Sequence, residues 1–392
     1  MSHPLTTTMT ESLGHKETDI LILGATGFTG KLITHYLSTH QQRTQFTLGI
    51  GGRSVVKLEK LLTDLNLNRD LRVVQVDLKD ESALENVVQS ARVIINAIGP
   101  YFLSGTPIVR FCARNGVHYL DLSGETHWHQ HLIKAHDYTA SRSGAVIVPS
   151  CAFNSAPADM CVYLAAKALQ DISPPLLPGK STTVYDFKGG YSGGTAATTI
   201  STFGNVDHEV LHRTMEPYTL SPIVGNQPSM GFEFVSKLSI PKQFGGQTYH
   251  GYFSTMASIN TAVVQRTFGL LEMIHTEHHG SFFVHSVCSC LIIHLLFVGN
   301  HEEESIRYGP DFIYSEFLLA RNPITAFFSS LSLAFAFVCL LLKPVSSPLF
   351  LSFSLKLTSV TNTQLRPGTS SPNSSPNQVT APLNQPFKKD IL

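Results

Sequence analysis

Gly24-Ala25-Thr26-Gly27-Phe28-Thr29-Gly30 follows directly on Thr18-Asp19-Ile20-Leu21-Ile22-Leu23. The apolar stretch reads as a buried strand, and a helix is expected to start near Phe28. A strand that enters a helix through such a turn leaves the first helical N–H groups unpaired. They sit at a positive dipole end, where a phosphate docks well. Gly24 permits the tight turn, Gly27 lets backbone approach a pyrophosphate, and Gly30 allows the helix to pack closely on the strand. The spacing is GxxGxxG rather than GxGxxG, so the strand–turn–helix context carries the reading more than the glycines do. The bland alternative is an ordinary glycine-bearing turn.

Outward from this turn, strand-like and helix-like segments alternate. Strands are expected at 19–23, 46–51, 71–76, 93–97, 119–122 and 145–149. Helices are expected at 56–65, 81–89, 106–115 and 128–141, with Pro107 in a first turn and Gly116 as a C-terminal stop. The first helix is expected to carry Phe28, Leu32, Ile33, Tyr36 and Leu37 on one face. Short connections between alternating elements predict an α/β fold, a Rossmann-type doubly wound parallel sheet with right-handed crossovers.

The chain has 392 residues and no formal net charge, so it lacks the basic footprint of a nucleic-acid binder. Charged residues make up only 14%, well under the usual quarter, which points to unusual burial or contact with lipid. The first residues lack a basic region followed by an apolar core, so no secretory signal is expected. Six cysteines occur without a CxxC pair and read as thiols rather than as a zinc site. His275, Glu277, His278 and His279 read as a solvated surface run, and no metal is expected.

After a proline-bearing connection at 171–180, the pattern changes to an α+β second domain. Strands are expected at 182–187, 232–240 and 249–254, and helices at 195–211 and 257–271. Residues 324–342 hold 19 residues without a charge, between Arg321 and Lys343. As a helix that run is about 28 Å long, close to the ~30 Å hydrocarbon core of a bilayer. The expected organisation is therefore a nucleotide-binding domain at 17–170, an α+β substrate or dimerisation domain at 181–275, an apolar membrane-associated segment at 305–357 and a disordered tail at 358–392. Residues 276–304 read as an insertion or a gene-model artefact.

The cofactor is argued from the strand ends. The second strand closes with Gly51-Gly52-Arg53-Ser54, where an NAD-binding sheet would carry an acidic residue for the ribose hydroxyls. Arg53 can pair with a 2′-phosphate and Ser54 can donate a hydrogen bond, which favours NADP. Asp77 and Leu78 can flank the adenine, and Asn96, Ala97 and Gly99 leave room along the fourth strand's end. Ala25, Thr26, Phe28 and Thr29 complete the expected cofactor contacts in the turn. No catalytic acid stands out. Tyr101 and Asp121 are the weak candidates, with His118 beside them, and a packing tyrosine, a helix-capping aspartate and a surface histidine are the favoured readings. Gly193-Gly194-Thr195 opens a helix and reads either as a substrate anion site or as an N-cap turn. Ser155 and Pro157 read as the cap and first turn of an apolar helix.

GATGFTG, GGRS, NAIGPY, HYLDLSGE and CAFNSAPAD together resemble the saccharopine dehydrogenase-like oxidoreductases. Within them the chain is similar to the eukaryotic membrane- or lipid-droplet-associated branch and to the bacterial trans-acting enoyl reductases. The resemblance covers roughly residues 17–275 and resumes over 305–344. It implies NADP bound through the Gly24–Gly30 turn, Arg53 and Ser54, and reduction of lipid-linked double bonds. Arginine scarcity leans the same way, because between Cys151 and His275 only Arg213 and Arg266 could clamp a dicarboxylate. The expected partners are a lipid-like small molecule, a cytosol-facing membrane or lipid-droplet surface and a second copy of the chain. The competing expectation is a non-catalytic membrane or lipid-droplet protein that keeps the nucleotide-binding fold. A soluble amino-acid dehydrogenase is disfavoured.

Overall fold

A computed structural model describes residues 16–67, 70–187, 193–226, 235–278 and 306–341. Two sheets organise them. The first is built from β1 (Thr18–Leu23), β2 (Leu48–Gly52), β3 (Arg72–Gln75), β4 (Ala91–Asn96), β5 (His118–Asp121) and β6 (Ile147–Val148) in the order β3-β2-β1-β4-β5-β6. All five pairings are parallel. Leu21 and Leu23 of β1 enter the core on one face, with Ile108 and Val109, while Ile22 packs on the other with Leu58 and Leu61. Burial on both faces explains why β1 is a continuous apolar run rather than an alternating one.

The crossovers are α1 (Phe28–Thr39), α2 (Val55–Asp64), α3 (Glu81–Gln89), a short α4 (Tyr101–Ser104) with α5 (Thr106–Asn115), and α6 (Thr126–Ser143). Helix α5 ends at Gly116, whose φ of 66° is left-handed, as expected of a glycine stop. Register places Leu23 beside Gly51 on one side and Asn96 on the other, so the carboxyl ends of β2, β1 and β4 line up along one edge.

One helix sits in a different phase from the expected one. Phe28, Leu32 and Tyr36 of α1 are exposed, and Gly30 and Thr34 face the sheet. Gly30 must approach the turn closely, and Phe28 lies about 200° around the helix from it. The close approach therefore sets the phase: it turns Phe28, Leu32 and Tyr36 outward and leaves Ile33 and Leu37 packed against the core.

The second sheet contains β7 (Lys180–Tyr185), β8 (Ser236–Ser239), β9 (Thr248–Tyr252) and β10 (Ile313–Ala320) in the order β7-β10-β9-β8. Strand β10 runs parallel to β7 and antiparallel to β9. Helices α7 (Ala156–Gln170) and α10 (Ala257–His278) cover it, and Val162, Val264, Phe268, Phe312 and Tyr314 share its core. The expected single helix at 195–211 is two, α8 (Gly193–Asn205) and α9 (His208–Arg213). Strand β10 corrects the expected apolar segment at 305–357: residues 313–320 are sheet, and Phe317 and Ala320 are buried in it.

The final described element, α11 (Pro323–Leu341), matches the apolar run, with side chains described as far as Leu333. Ala326 and Ser330 are buried, and Ile324, Phe328 and Leu331 are exposed. Among the described residues no helix is long and apolar enough to cross a membrane. Most of 276–304 and all of 358–392 lie outside the described residues.

Candidate cofactor site

The site is built at the aligned strand ends. Gly24 has a φ of 78°, and its N–H donates to the Gly51 carbonyl at 2.9 Å, tying the turn to β2. A Cβ there would stand 2.9 Å from the Ala97 carbonyl oxygen, so only glycine lets the ends of β1 and β4 meet this closely. At Gly30 a Cβ would fall 2.2 Å from the Gly24 carbonyl oxygen, which makes this the helix–turn contact that needs hydrogen alone. Gly27 is the N-cap of α1 and is exposed; no side chain caps the helix there. The first N–H groups of α1 thus open toward solvent, as a pyrophosphate cradle requires. Ala25 is buried beneath the turn, Thr26 and Thr29 are half-buried, and Phe28 is exposed at its rim.

Beside the turn, Thr26, Arg53, Ser54 and Lys57 line a cavity of about 330 Å³. Ser54 caps α2, its Oγ accepting from the Lys57 N–H at 3.4 Å. The cap uses an acceptor lone pair, which leaves the Ser54 O–H free to donate. Two cations and two hydroxyls around one cavity fit a phosphate monoester on the adenosine ribose. Lys57 belongs to this set by helical geometry, one turn into α2, and β2's end alone does not reveal it. Asp77 is exposed and accepts from the Lys79 N–H at 3.0 Å, and Leu78 is half-buried against the first core.

Along β4 the expected residues separate. Gly99 is exposed and Ala97 half-buried at the edge, whereas Asn96 turns inward and is fully buried. Asn96 Nδ2 donates to the Tyr119 hydroxyl at 3.0 Å, and its Oδ1 accepts from the Ile98 N–H at 3.0 Å. Its side chain is thus held inside the sheet's packing by these two bonds rather than presented at the edge. A Cβ on Gly99 would lie 3.7 Å from Thr198 Oγ1, so α8 of the second sheet's layer overhangs this edge.

The acid candidates lie below that edge. Tyr101 is buried, stacks on Trp128 with centroids 5.9 Å apart, and its hydroxyl donates to the Asn96 carbonyl at 3.3 Å. Burial, and then the neighbouring Asp121 charge, push its pKa up. Asp121 accepts from the Tyr119 hydroxyl at 2.9 Å, from the Ser123 hydroxyl at 2.6 Å and N–H at 2.9 Å, and from the Ser150 N–H at 2.9 Å. Desolvation raises its pKa and these four donors oppose the rise. Ser123 Oγ lies 2.7 Å from His129 Nε2. Because the single Ser123 hydroxyl proton goes to Asp121, the neutral imidazole must carry its proton on Nε2. Burial, then His127 and Arg266, hold the His129 pKa down to about 3. His118 lies at the opposite end of β5, where Nδ1 accepts from the Val146 N–H at 3.1 Å. The structure thus gathers Tyr101 and Asp121 into one buried network and leaves His118 outside it. Among the described residues no group of His, Cys, Asp and Glu could hold a metal ion.

Residues 20–148 match the family described as the saccharopine dehydrogenase NADP binding domain. This part of the chain is such a domain. Its cofactor is NADP, which the turn and the Arg53–Lys57 cavity suit. Over 263 residues the chain is 33% identical to the trans-acting enoyl reductase of Mycobacterium leprae, covering 64% of this chain and 61% of the relative. It is 30% identical over 269 residues to the trans-acting enoyl reductase of Mycobacterium tuberculosis, covering 67% and 63%. The chain therefore spans just over three-fifths of the length of these relatives. The apo saccharopine dehydrogenase (L-Glu forming) of Saccharomyces cerevisiae is 15% identical, with a TM-score of 0.32 over 43% of this chain and 34% of its own.

Two further residues escape a reading of strand ends. Glu125 is buried and binds the N–H groups of Tyr101 and Phe102. Thr198 lies at the domain edge. Lys57 had a usable signal, three residues beyond the Ser54 cap, where a helix's first turn faces the same anion.

Proposed function

We propose that the chain is an NADP-dependent oxidoreductase that reduces a carbon–carbon double bond in a lipid-like substrate at a membrane surface. The observation that carries the redox part is the uncapped α1 turn beside a cavity holding Arg53 and Lys57. Similarity to trans-acting enoyl reductases supports the reaction class. The second domain supports an apolar substrate. Arg213 is paired with Glu209 at 2.8 Å, and buried Arg266 donates to the Leu220 carbonyl at 2.7 Å, so neither is presented as a carboxylate clamp. Phe153 follows β6, and its ring lies 6.0 Å from Tyr185 and 5.5 Å from Phe187, an aromatic wall at the ends of β6 and β7.

Bound NADPH supplies the hydride. The chain's own work is to hold the pyrophosphate on α1, to fix the 2′-phosphate with Arg53 and Lys57, and to keep the substrate against apolar side chains. Tyr101 and Asp121 are turned inward, so in this reading the proton that completes reduction comes from water. The membrane partner rests on α11, whose exposed Ile324, Phe328 and Leu331 continue into an uncharged run.

Titration of the full chain with NADPH and NADH, followed by NADPH consumption in the presence of medium- and long-chain enoyl thioesters, tests the reading. NADPH binding well ahead of NADH, with turnover that rises with chain length, supports it. Failure of the folded chain to bind NADPH removes it. The inward-facing Tyr101 and Asp121 favour a second reading, a non-catalytic membrane or lipid-droplet protein that senses NADPH. Its outcome is tight NADPH binding with no oxidation by any enoyl lipid.

A further inference from the structure

The loop that follows β4, residues 97–100, meets both halves of the molecule. It closes the strand that opens the second mononucleotide half of the sheet, and Gly99 in it lies beside Thr198 of α8. Arg53 and Lys57 anchor the adenosine end at β2, so a dinucleotide stretched across the Gly24–Gly30 turn brings its nicotinamide half to this loop. Such a loop, exposed at Gly99, needs an internal hold.

Glu125 is that hold. It immediately precedes α6 yet makes no side-chain cap to its own helix. Its carboxylate crosses instead to the chain that leaves β4: Oε1 accepts from the Tyr101 N–H at 2.9 Å and Oε2 from the Phe102 N–H at 2.6 Å. Pro100, the N-cap of α4, offers those amides no side-chain cap. Glu125 is only 3% exposed, so a buried charge is spent on two backbone groups. Charge-assisted bonds of this kind are about twice as strong as neutral ones.

We propose that Glu125 is a positioning residue, which fixes the 97–100 loop where it receives the nicotinamide half of NADP. The role rests on the NADP reading above and concerns only this chain's hold on the loop. Glutamine at this position would keep one acceptor and set an amide donor against a backbone N–H.

The test compares two ligands on the full-length chain and on Glu125→Gln. NADPH reports both halves of the site, and adenosine 2′,5′-bisphosphate reports the Arg53 end alone. The expected result is NADPH affinity lowered about tenfold, the loss of one hydrogen bond to a charged group, with adenosine 2′,5′-bisphosphate unchanged within about twofold. Equal losses for both ligands, or no loss for either, would overturn the role. Amide hydrogen exchange on the wild-type chain gives an answer without the variant. Residues 98–104 should gain protection with NADPH and not with adenosine 2′,5′-bisphosphate; equal protection by both overturns the proposal. Binding of neither ligand to the folded wild-type chain refutes the nucleotide site itself, a distinct outcome that removes Glu125's role with it.

Discussion

At the scale of single residues, cofactor choice turns on two cations that reach one cavity, Arg53 from the end of β2 and Lys57 from the first turn of α2. Arg53 precedes the Ser54 cap, and Lys57 lies three residues after it, with its own N–H on Ser54 Oγ. Hydrogen bonds to charged groups contribute about 1.5–3 kcal/mol each. Arg53→Ala is therefore expected to weaken NADPH binding by about tenfold or more and to leave NADH binding nearly unchanged. Lys57→Ala should give a smaller loss of the same kind, because a flexible ammonium offers a point charge in place of a planar fork. Fluorescence titration with both nucleotides checks this; equal losses for NADPH and NADH would place the 2′-phosphate elsewhere. Asn96 shows the opposite case. It sits at the right strand end, but the face it occupies is decided by the pleat, and its amide is consumed by Tyr119 and Ile98.

At the scale of elements, the Asp121–Ser123–His129 chain ties β5 to α6. His129 has a folded pKa near 3, below the ~6.5 of a free imidazole. Between those values the unfolded chain takes up a proton that the folded chain refuses. Stability from this residue is thus complete above pH ~6.5 and falls on acidification by about 1.4 kcal/mol per pH unit. Urea titrations of the wild type and His129→Gln between pH 7.5 and 5, roughly the span below and above free imidazole, should diverge by that slope. Parallel pH profiles would mean that the folded chain protonates His129 as readily as the unfolded chain does. The last helix supports a second expectation. Ala326 and Ser330 hold α11 on the protein, and Phe328 points out. Phe328→Glu should reduce sedimentation with liposomes several-fold without changing the thermal transition, since a charge on the apolar face opposes insertion while the buried face is untouched. Undiminished sedimentation, or none in the wild type, would remove the proposed membrane role of α11.

At the scale of the whole molecule, the second sheet's layer is brought to the cofactor edge by α8. Thr198 is close enough to Gly99 for a bulky side chain to block the gap. Thr198→Trp is expected to cut NADPH turnover with enoyl substrates by at least about tenfold, the effect of a small misplacement at the reacting centre, with adenosine 2′,5′-bisphosphate binding preserved. Full turnover in that variant would mean that the reaction does not use the space between Gly99 and Thr198. The same scale explains why β10 is central. Residues 313–320 lie far from 180–185 in sequence, yet they pair in parallel register, Ile313 beside Lys180 and Leu318 beside Tyr185.

How much of this was legible beforehand depends on the range of the interaction that decides it. The sequence by itself determined the Rossmann-type sheet, the phosphate turn and the NADP preference. Each rests on local order: an apolar run, a turn needing glycine, a helix start and an arginine at a strand end. Only the tertiary structure decided the outward turn of Phe28, Leu32 and Tyr36 on α1, the inward turn of Asn96, the membership of β10 in the second sheet and the reach of Glu125 to Tyr101 and Phe102. Those features are set by packing between distant segments. Gly30 must touch Gly24 whatever α1's apolar residues prefer, and a buried carboxylate takes whichever unpaired N–H groups the fold brings within 3 Å.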